Sequence, residues 1–193
     1  FSVIFLTWQH QTIYRYHMKF FIISTLLCFN LTFAQTVYES IDSEALGTFR
    51  ELKIQLPRNY EDNPEKSYPL IVVFDGDYLF EVVAGNVDYY SYWEDMPESI
   101  VIGIMQGDGR YDDCAYDDSN FLPADKGADF FEFIGLELVP YIDANYRTAK
   151  FLIAVGHDFT ANFINYYLFK DPPLFNGYIN AGSMVLLMTI PVL

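Results

Sequence analysis

Three short runs of consecutive apolar residues constrain the fold of this chain more than any other feature. They are Leu70-Ile71-Val72-Val73-Phe74, Ile100-Val101-Ile102-Gly103-Ile104 and Phe151-Leu152-Ile153-Ala154-Val155. A strand that faces water on one side alternates polar and apolar residues. A continuous run closed by turn-forming residues suits a strand covered on both faces, and such strands belong to parallel sheets. The segments between the runs carry helical periodicity. From Gly127 to Asn145, Phe130, Ile134 and Leu138 recur every fourth residue, with Phe131 and Ile142 beside that stripe. Asp129 lies near the start, where a negative charge complements the helix dipole, and Pro140 is expected to kink or shorten the helix. Phe159 to Lys170 reads as a further helix, stopped by Asp171-Pro172-Pro173. Strands alternating with helices predict right-handed βαβ units in an α/β fold, a mainly parallel sheet flanked by helices.

Two weaker strand signals flank this centre. Leu52, Ile54 and Leu56 alternate with Glu51, Lys53 and Gln55, the pattern of a half-buried strand. Gly177-Tyr178-Ile179-Asn180 reads as a short fifth strand. Tyr60 to Ser67 is an exposed turn, rich in Asn, Asp, Pro and Lys. The 193 residues suffice for one domain with one core.

Charge narrows the partners. The 26 acidic and 11 basic residues give a net charge of −15. Arg15 and Lys19 precede position 35 in a segment without acids, so the remainder carries 9 basic against 26 acidic residues, a net of −17. Such a surface repels phosphate backbones, and nucleic acid is not an expected partner. Cys28 and Cys114 are the only cysteines, and Cys114 reads as a small core residue.

The N-terminal residues carry an export signature. Lys19 follows Met18, Phe20 to Leu31 is apolar, and Thr32-Phe33-Ala34 supplies small residues at the last and third-last positions. Residues 18–34 are read as a signal peptide cleaved before Gln35. The apolar run is too short for a membrane span, so no stable span is expected after cleavage. Residues 1–17 are read as an upstream or non-native extension, 35–183 as one domain, and 184–193 as an apolar tail out of frame with it. The protein is expected to be exported, periplasmic or secreted.

The candidate chemistry lies at Gly156-His157-Asp158-Phe159-Thr160-Ala161, between a strand and a helix. A sharp strand–turn–helix with small flanking residues is a nucleophile elbow, usually Gly-x-Ser-x-Gly. The small flanks relieve a strained, crowded backbone, and the central side chain is pushed toward substrate. Here the centre is Asp158, the flanks are Gly156 and Thr160, and His157 precedes the centre.

From about Thr48 to Ser183 the chain resembles the esterase family of α/β hydrolases that includes esterase D-like and siderophore-esterase-like members. The matching residues are Tyr68-Pro69, Asp75-Gly76-Asp77-Tyr78, Val101-Ile102-Gly103-Ile104 and Arg110. They continue with Gly127-Ala128-Asp129, Glu137-Leu138-Val139-Pro140-Tyr141-Ile142, Asn145-Tyr146-Arg147-Thr148, Gly156-His157 and Leu174-Phe175-Asn176-Gly177-Tyr178-Ile179. The resemblance implies an α/β-hydrolase fold, incomplete at the C-terminus, and cofactor-free hydrolysis of small-molecule carboxylic esters. It places Asp158 at the nucleophile position and the oxyanion donors on the backbones of Phe159 and of the Gly76–Asp77 turn. It makes His157 a structural residue of the elbow and takes the catalytic His and acid from loops beyond this chain's last strand. On this reading the site as written is inactive.

Asp158 has three readings at this stage: a decayed nucleophile in a pseudoenzyme or binding protein, a working carboxylate nucleophile of dehalogenase or epoxide-hydrolase type, or a helix N-cap. Two other features are weighed against ordinary roles. Asp108, Asp112, Asp113, Asp117 and Asp118 lack the spacing of a calcium loop and read as a solvated acidic loop, so no metal is assigned. Tyr89-Tyr90-Ser91-Tyr92-Trp93 reads as packing against the sheet, with a substrate cleft as the alternative.

Overall fold

A computed structural model describes residues 36–182. The segments read from sequence as extension, signal and tail lie outside the described residues. The six strands are β1 (Thr36–Ser43), β2 (Thr48–Gln55), β3 (Tyr68–Val73), β4 (Ile100–Ile104), β5 (Thr148–His157) and β6 (Gly177–Ala181). They form one sheet in the order β1-β2-β4-β3-β5-β6. β1 and β2 make an antiparallel hairpin and β2 runs antiparallel to β4, while β4, β3, β5 and β6 are mutually parallel. All three continuous apolar runs are therefore central parallel strands.

The order of travel decides which face each helix covers. The chain moves from β3 one place sideways to β4, then back across β3 to β5, then outward to β6. Right-handed crossovers in opposite directions put the connecting helices on opposite faces. Helix α1 (Phe80–Tyr92) follows β3 and packs Phe80, Ala84 and Val87 against Ile71, Val73, Val101 and Val155. The connection from β4 holds α2 (Arg110–Asp113), α3 (Lys126–Glu132), a π-helical turn (Phe133–Leu138) and α4 (Val139–Asn145). Phe130, Phe133, Ile134 and Leu138 from it, with Phe163 and Ile164 of α5 (Phe159–Ile164), cover Leu70, Val72, Ile100, Ile102 and Ala154. Successive residues of β3 and β4 thus point into two separate apolar layers, which is why those runs lack polar alternation. In the β5 run only Ala154 and Val155 are buried, and Phe151 is exposed.

The predicted 127–145 helix is present but changes register. Its π turn ends two residues before Pro140, which lacks an N–H and crowds the preceding turn, so the ordinary ladder cannot run through. The helix predicted from Phe159 runs as α5 and finishes as a 3₁₀ stretch, Asn165–Phe169.

Four sequence expectations need correction. β1 was not anticipated, because only Ile41 and Ser43 in it are buried and it shows no apolar pattern. Helix α1 was not anticipated either. β2 is not half-buried at its centre: Leu52, Lys53 and Ile54 are all buried. Lys53 Nζ lies over the Phe80 ring, 5.8 Å from its centroid, and donates to Glu81 Oε1 at 2.7 Å. The aromatic run does not pack on the sheet. Tyr89, Tyr90, Tyr92 and Trp93 are exposed in and after the last turn of α1, beyond Val87. Their rings meet each other edge-on, Tyr89 with Tyr90 and Tyr92 with Trp93.

Candidate active site at the β3–β5 boundary

β3 and β5 are neighbours whose following helices leave to opposite faces of the sheet. That divergence opens a crevice at the carboxyl ends of the two strands, the place where open α/β sheets bind ligands. Two loops enter it: Asp75-Gly76-Asp77-Tyr78 after β3, and His157-Asp158-Phe159 where β5 passes into α5.

The elbow is formed in full. Asp158 has φ 57° and ψ −111°, a conformation that a residue with a Cβ rarely adopts. Gly156 is required beside it: a Cβ there would lie 2.8 Å from the nitrogen of Ala161 and 2.8 Å from the carbonyl carbon of Thr160. Thr160, where the usual pattern has glycine, is fully buried. It fits because its hydroxyl is turned inward, accepting the His157 N–H at 2.9 Å and donating to the Asp75 carboxylate. Asp158 occupies the N-cap position of α5, where its carbonyl accepts the Asn162 N–H at 3.1 Å, but its side chain makes no capping bond.

Asp75 is the hub beneath the elbow. It too has a positive φ, 63°, and it is 1% exposed. Its carboxylate accepts from the Thr160 hydroxyl, from Arg110 Nε and from the His157 N–H at 3.3 Å. Its own N–H donates to Gln106 Oε1 at 3.0 Å. Arg110 spans both loops: Nη2 donates to the His157 carbonyl at 2.7 Å. The bond to Asp75 holds the Arg110 guanidinium above its already high ordinary value, so it stays charged. The Tyr78 hydroxyl and His157 Nδ1 are 2.9 Å apart. Burial, and then the Asp75 charge, push the Tyr78 phenol above its ordinary value. In the sequence Asp75 and Arg110 stand out only as residues that match the family. An Asp that ends an apolar strand run beside a Gly-Asp turn is the available signal, but its partners lie 31 and more positions away.

Of the two backbone positions named for the turn after β3, one is occupied. The Gly76 N–H donates to the Ile104 carbonyl at 2.8 Å, and a Cβ at Gly76 would lie 2.7 Å from Gly103 and Ile104 backbone atoms. The Asp77 N–H has no partner among the described residues. Asp77 is held from its side chain, whose Oδ2 accepts the N–H groups of Gln106 and Gly107 at 2.8 and 2.9 Å. Phe159 opens α5, where the first amides have no intrahelical acceptor.

The acidic loop is partly structural. Asp113 is buried in α2, bonded to Arg50 Nη2 at 2.9 Å and Gln106 Nε2 at 3.1 Å. Asp112 pairs with Lys126 and Asp117 caps its own turn at Ser119. Through Gln106 the loop is tied to Asp75. Cys114 is buried beside it, and burial pushes its thiol up to about 12. A cleft of about 620 Å³ lies away from the elbow, before the amino ends of β3 and β4. Its walls hold the ion pairs Arg58–Asp88 and Lys66–Glu98, and one of its residues, Glu94, also has a positive φ, 60°. The crevice has the stronger claim to chemistry because the elbow and the buried Asp75 carboxylate that ties it to Arg110 and Thr160 lie there.

Residues 43–175 match the family model described as "Putative esterase". The chain belongs to this esterase family. No curated protein matches the sequence. Among solved structures, an uncharacterised protein from Capnocytophaga ochracea is 32% identical with a TM-score of 0.68, over 74% of this chain and 39% of that one. An IroE-like serine hydrolase from Shewanella oneidensis is 27% identical with a TM-score of 0.67, over 75% of this chain and 49% of that one. Ferric enterobactin esterase from Salmonella typhimurium is 18% identical with a TM-score of 0.62, over 80% and 38%, a likeness of fold. The esterase-family chain thus spans well under two thirds of the length of these structures.

Proposed function

We propose that the crevice is a carboxylic-ester site of the esterase family in which the nucleophile has been lost, so that the chain binds a small ester without turning it over by acyl transfer. The observation that carries this reading is Asp158 itself, a carboxylate standing at the strained centre of an otherwise intact elbow. In a serine esterase the central hydroxyl gives up its proton to a histidine, attacks the carbonyl and leaves an acyl ester on the enzyme. A carboxylate attacking the same carbonyl gives a mixed anhydride, less stable than the ester consumed. His157 does not act as the base on this reading. It sits beside the elbow centre with Nδ1 on Tyr78 and its backbone on Asp75, Thr160 and Arg110. The free N–H groups of Asp77 and Phe159 are the oxyanion donors in this proposal.

The test is p-nitrophenyl acetate hydrolysis by the chain, by Asp158→Ala and by Asp158→Ser. All three are expected at the level left to a serine hydrolase without its triad, at most ~10³–10⁴-fold over water. Turnover by the unmodified chain that Asp158→Ala abolishes overturns the reading. A second reading draws on the uncapped Asp158 side chain: attack on an sp³ carbon, which gives a stable alkyl ester. Alkylation of Asp158 by a small epoxide, located by peptide mass, would favour it. We also propose export, with residues 18–34 as signal. N-terminal sequencing of exported protein is expected to begin at Gln35, and retention of residues 18–34 in it would count against the proposal.

A further inference from the structure

The two residues of positive φ at the carboxyl ends of neighbouring strands are joined through one carboxylate. Asp75, at φ 63° after β3, accepts from Thr160, which follows Asp158 by two residues, and from the N–H of His157, which precedes it by one. Arg110 closes the frame, donating to Asp75 with Nε and to the His157 carbonyl with Nη2 at 2.7 Å. Both peptide groups of His157 are thereby fixed, its N–H by Asp75 and Thr160 and its carbonyl by Arg110. The Asp75 side chain is wholly buried and that of Arg110 is 17% exposed. A non-glycine residue at such φ and ψ is strained and persists only where its surroundings over-determine it. The bonds on either side of Asp158 are such surroundings.

We propose that Asp75 is the positioning residue of the elbow, acting through Thr160 and Arg110 to hold residue 158 in its strained conformation. Thr160 is then the reason glycine is not needed at the end of the elbow: its hydroxyl is part of the clamp. The inference rests on the crevice being an esterase-type elbow, and its test is independent of hydrolysis.

The test compares glycine with alanine at position 158 in the whole chain by thermal unfolding. At ordinary backbone angles alanine is more stable than glycine. At positive φ the order reverses, because the glycine has no Cβ to strain. In the otherwise unmodified chain Asp158→Gly is expected to melt above Asp158→Ala, by roughly 2–4 °C. In a Thr160→Val background, which keeps the volume and removes the hydroxyl, and in an Asp75→Asn background, the order is expected to vanish or invert. Thr160→Ser keeps the hydroxyl and is expected to retain it. Arg110→Lys, at the more open end of the frame, serves if the buried variants do not fold, and it is expected to shrink the margin. A purely structural role would lower every melting point equally and leave the margin untouched. An unchanged margin in the Thr160→Val, Asp75→Asn and Arg110→Lys backgrounds, or alanine melting above glycine in the unmodified chain, would overturn the proposal.

Discussion

The Tyr78 hydroxyl lies 2.9 Å from Nδ1 of His157, joining the loop after β3 to the loop after β5 on the solvent side of the crevice. The same two loops are joined from below by Asp75 and Thr160. The elbow is therefore tied on both sides, and the outer tie is the weaker because Tyr78 is 49% exposed.

Tyr78→Phe is expected to release the His157 ring while costing no more than about 1 kcal/mol, the usual net value of one hydrogen bond. Imidazole ¹⁵N shifts of His157 should change between the two proteins. Identical shifts would mean that the bond is not formed in solution. Because the phenol is raised above its ordinary value of 10, its contribution to stability is fully present below that pH. It is lost as pH climbs through the raised value.

Two glycines make a paired prediction. In Gly156→Ala the added Cβ meets backbone atoms of Thr160 and Ala161 at 2.8 Å, which cannot rotate away. A loss of about 1–3 kcal/mol is expected, as for other overpacking changes. In Gly85→Ala, on the exposed face of α1, the Cβ meets nothing within 4 Å. A gain of about 0.5–1 kcal/mol is expected there from helix propensity. Urea unfolding of both variants measures this, and equal effects would refute the geometry of the elbow.

Asp113 makes stability depend on pH. Burial raises its carboxyl above the ordinary value of 3.8, and the attraction of Arg50 with the bond from Gln106 offsets only part of that. A raised folded value means the folded state prefers the protonated form. The associated stability is present below pH 3.8 and is lost as pH rises through the raised value. Asp113→Asn removes this titration. The melting point of the variant relative to the parent is expected to climb as pH is taken from about 3 to about 7. A flat or falling difference would show that the Arg50 attraction outweighs burial.

The sequence by itself determined the parallel centre of the sheet and the position of the elbow. Runs such as Ile100 to Ile104 can be satisfied only between two apolar layers, and the requirement for a small residue at Gly156 is local to one turn. It also determined the family, because the matching residues span 43–175 in order. Tertiary structure alone decided the rest. β1 pairs with β2 through backbone groups that every sequence carries. Lys53 is buried because α1 happens to cover its face, with Glu81 at the end of its reach. The roles of Asp75, Arg110 and Thr160 arise from contacts between residues 35 to 85 positions apart. Such contacts exist only after β3 and β5 lie side by side, since hydrogen bonding selects partners by distance and angle in space and leaves no periodic trace in the chain.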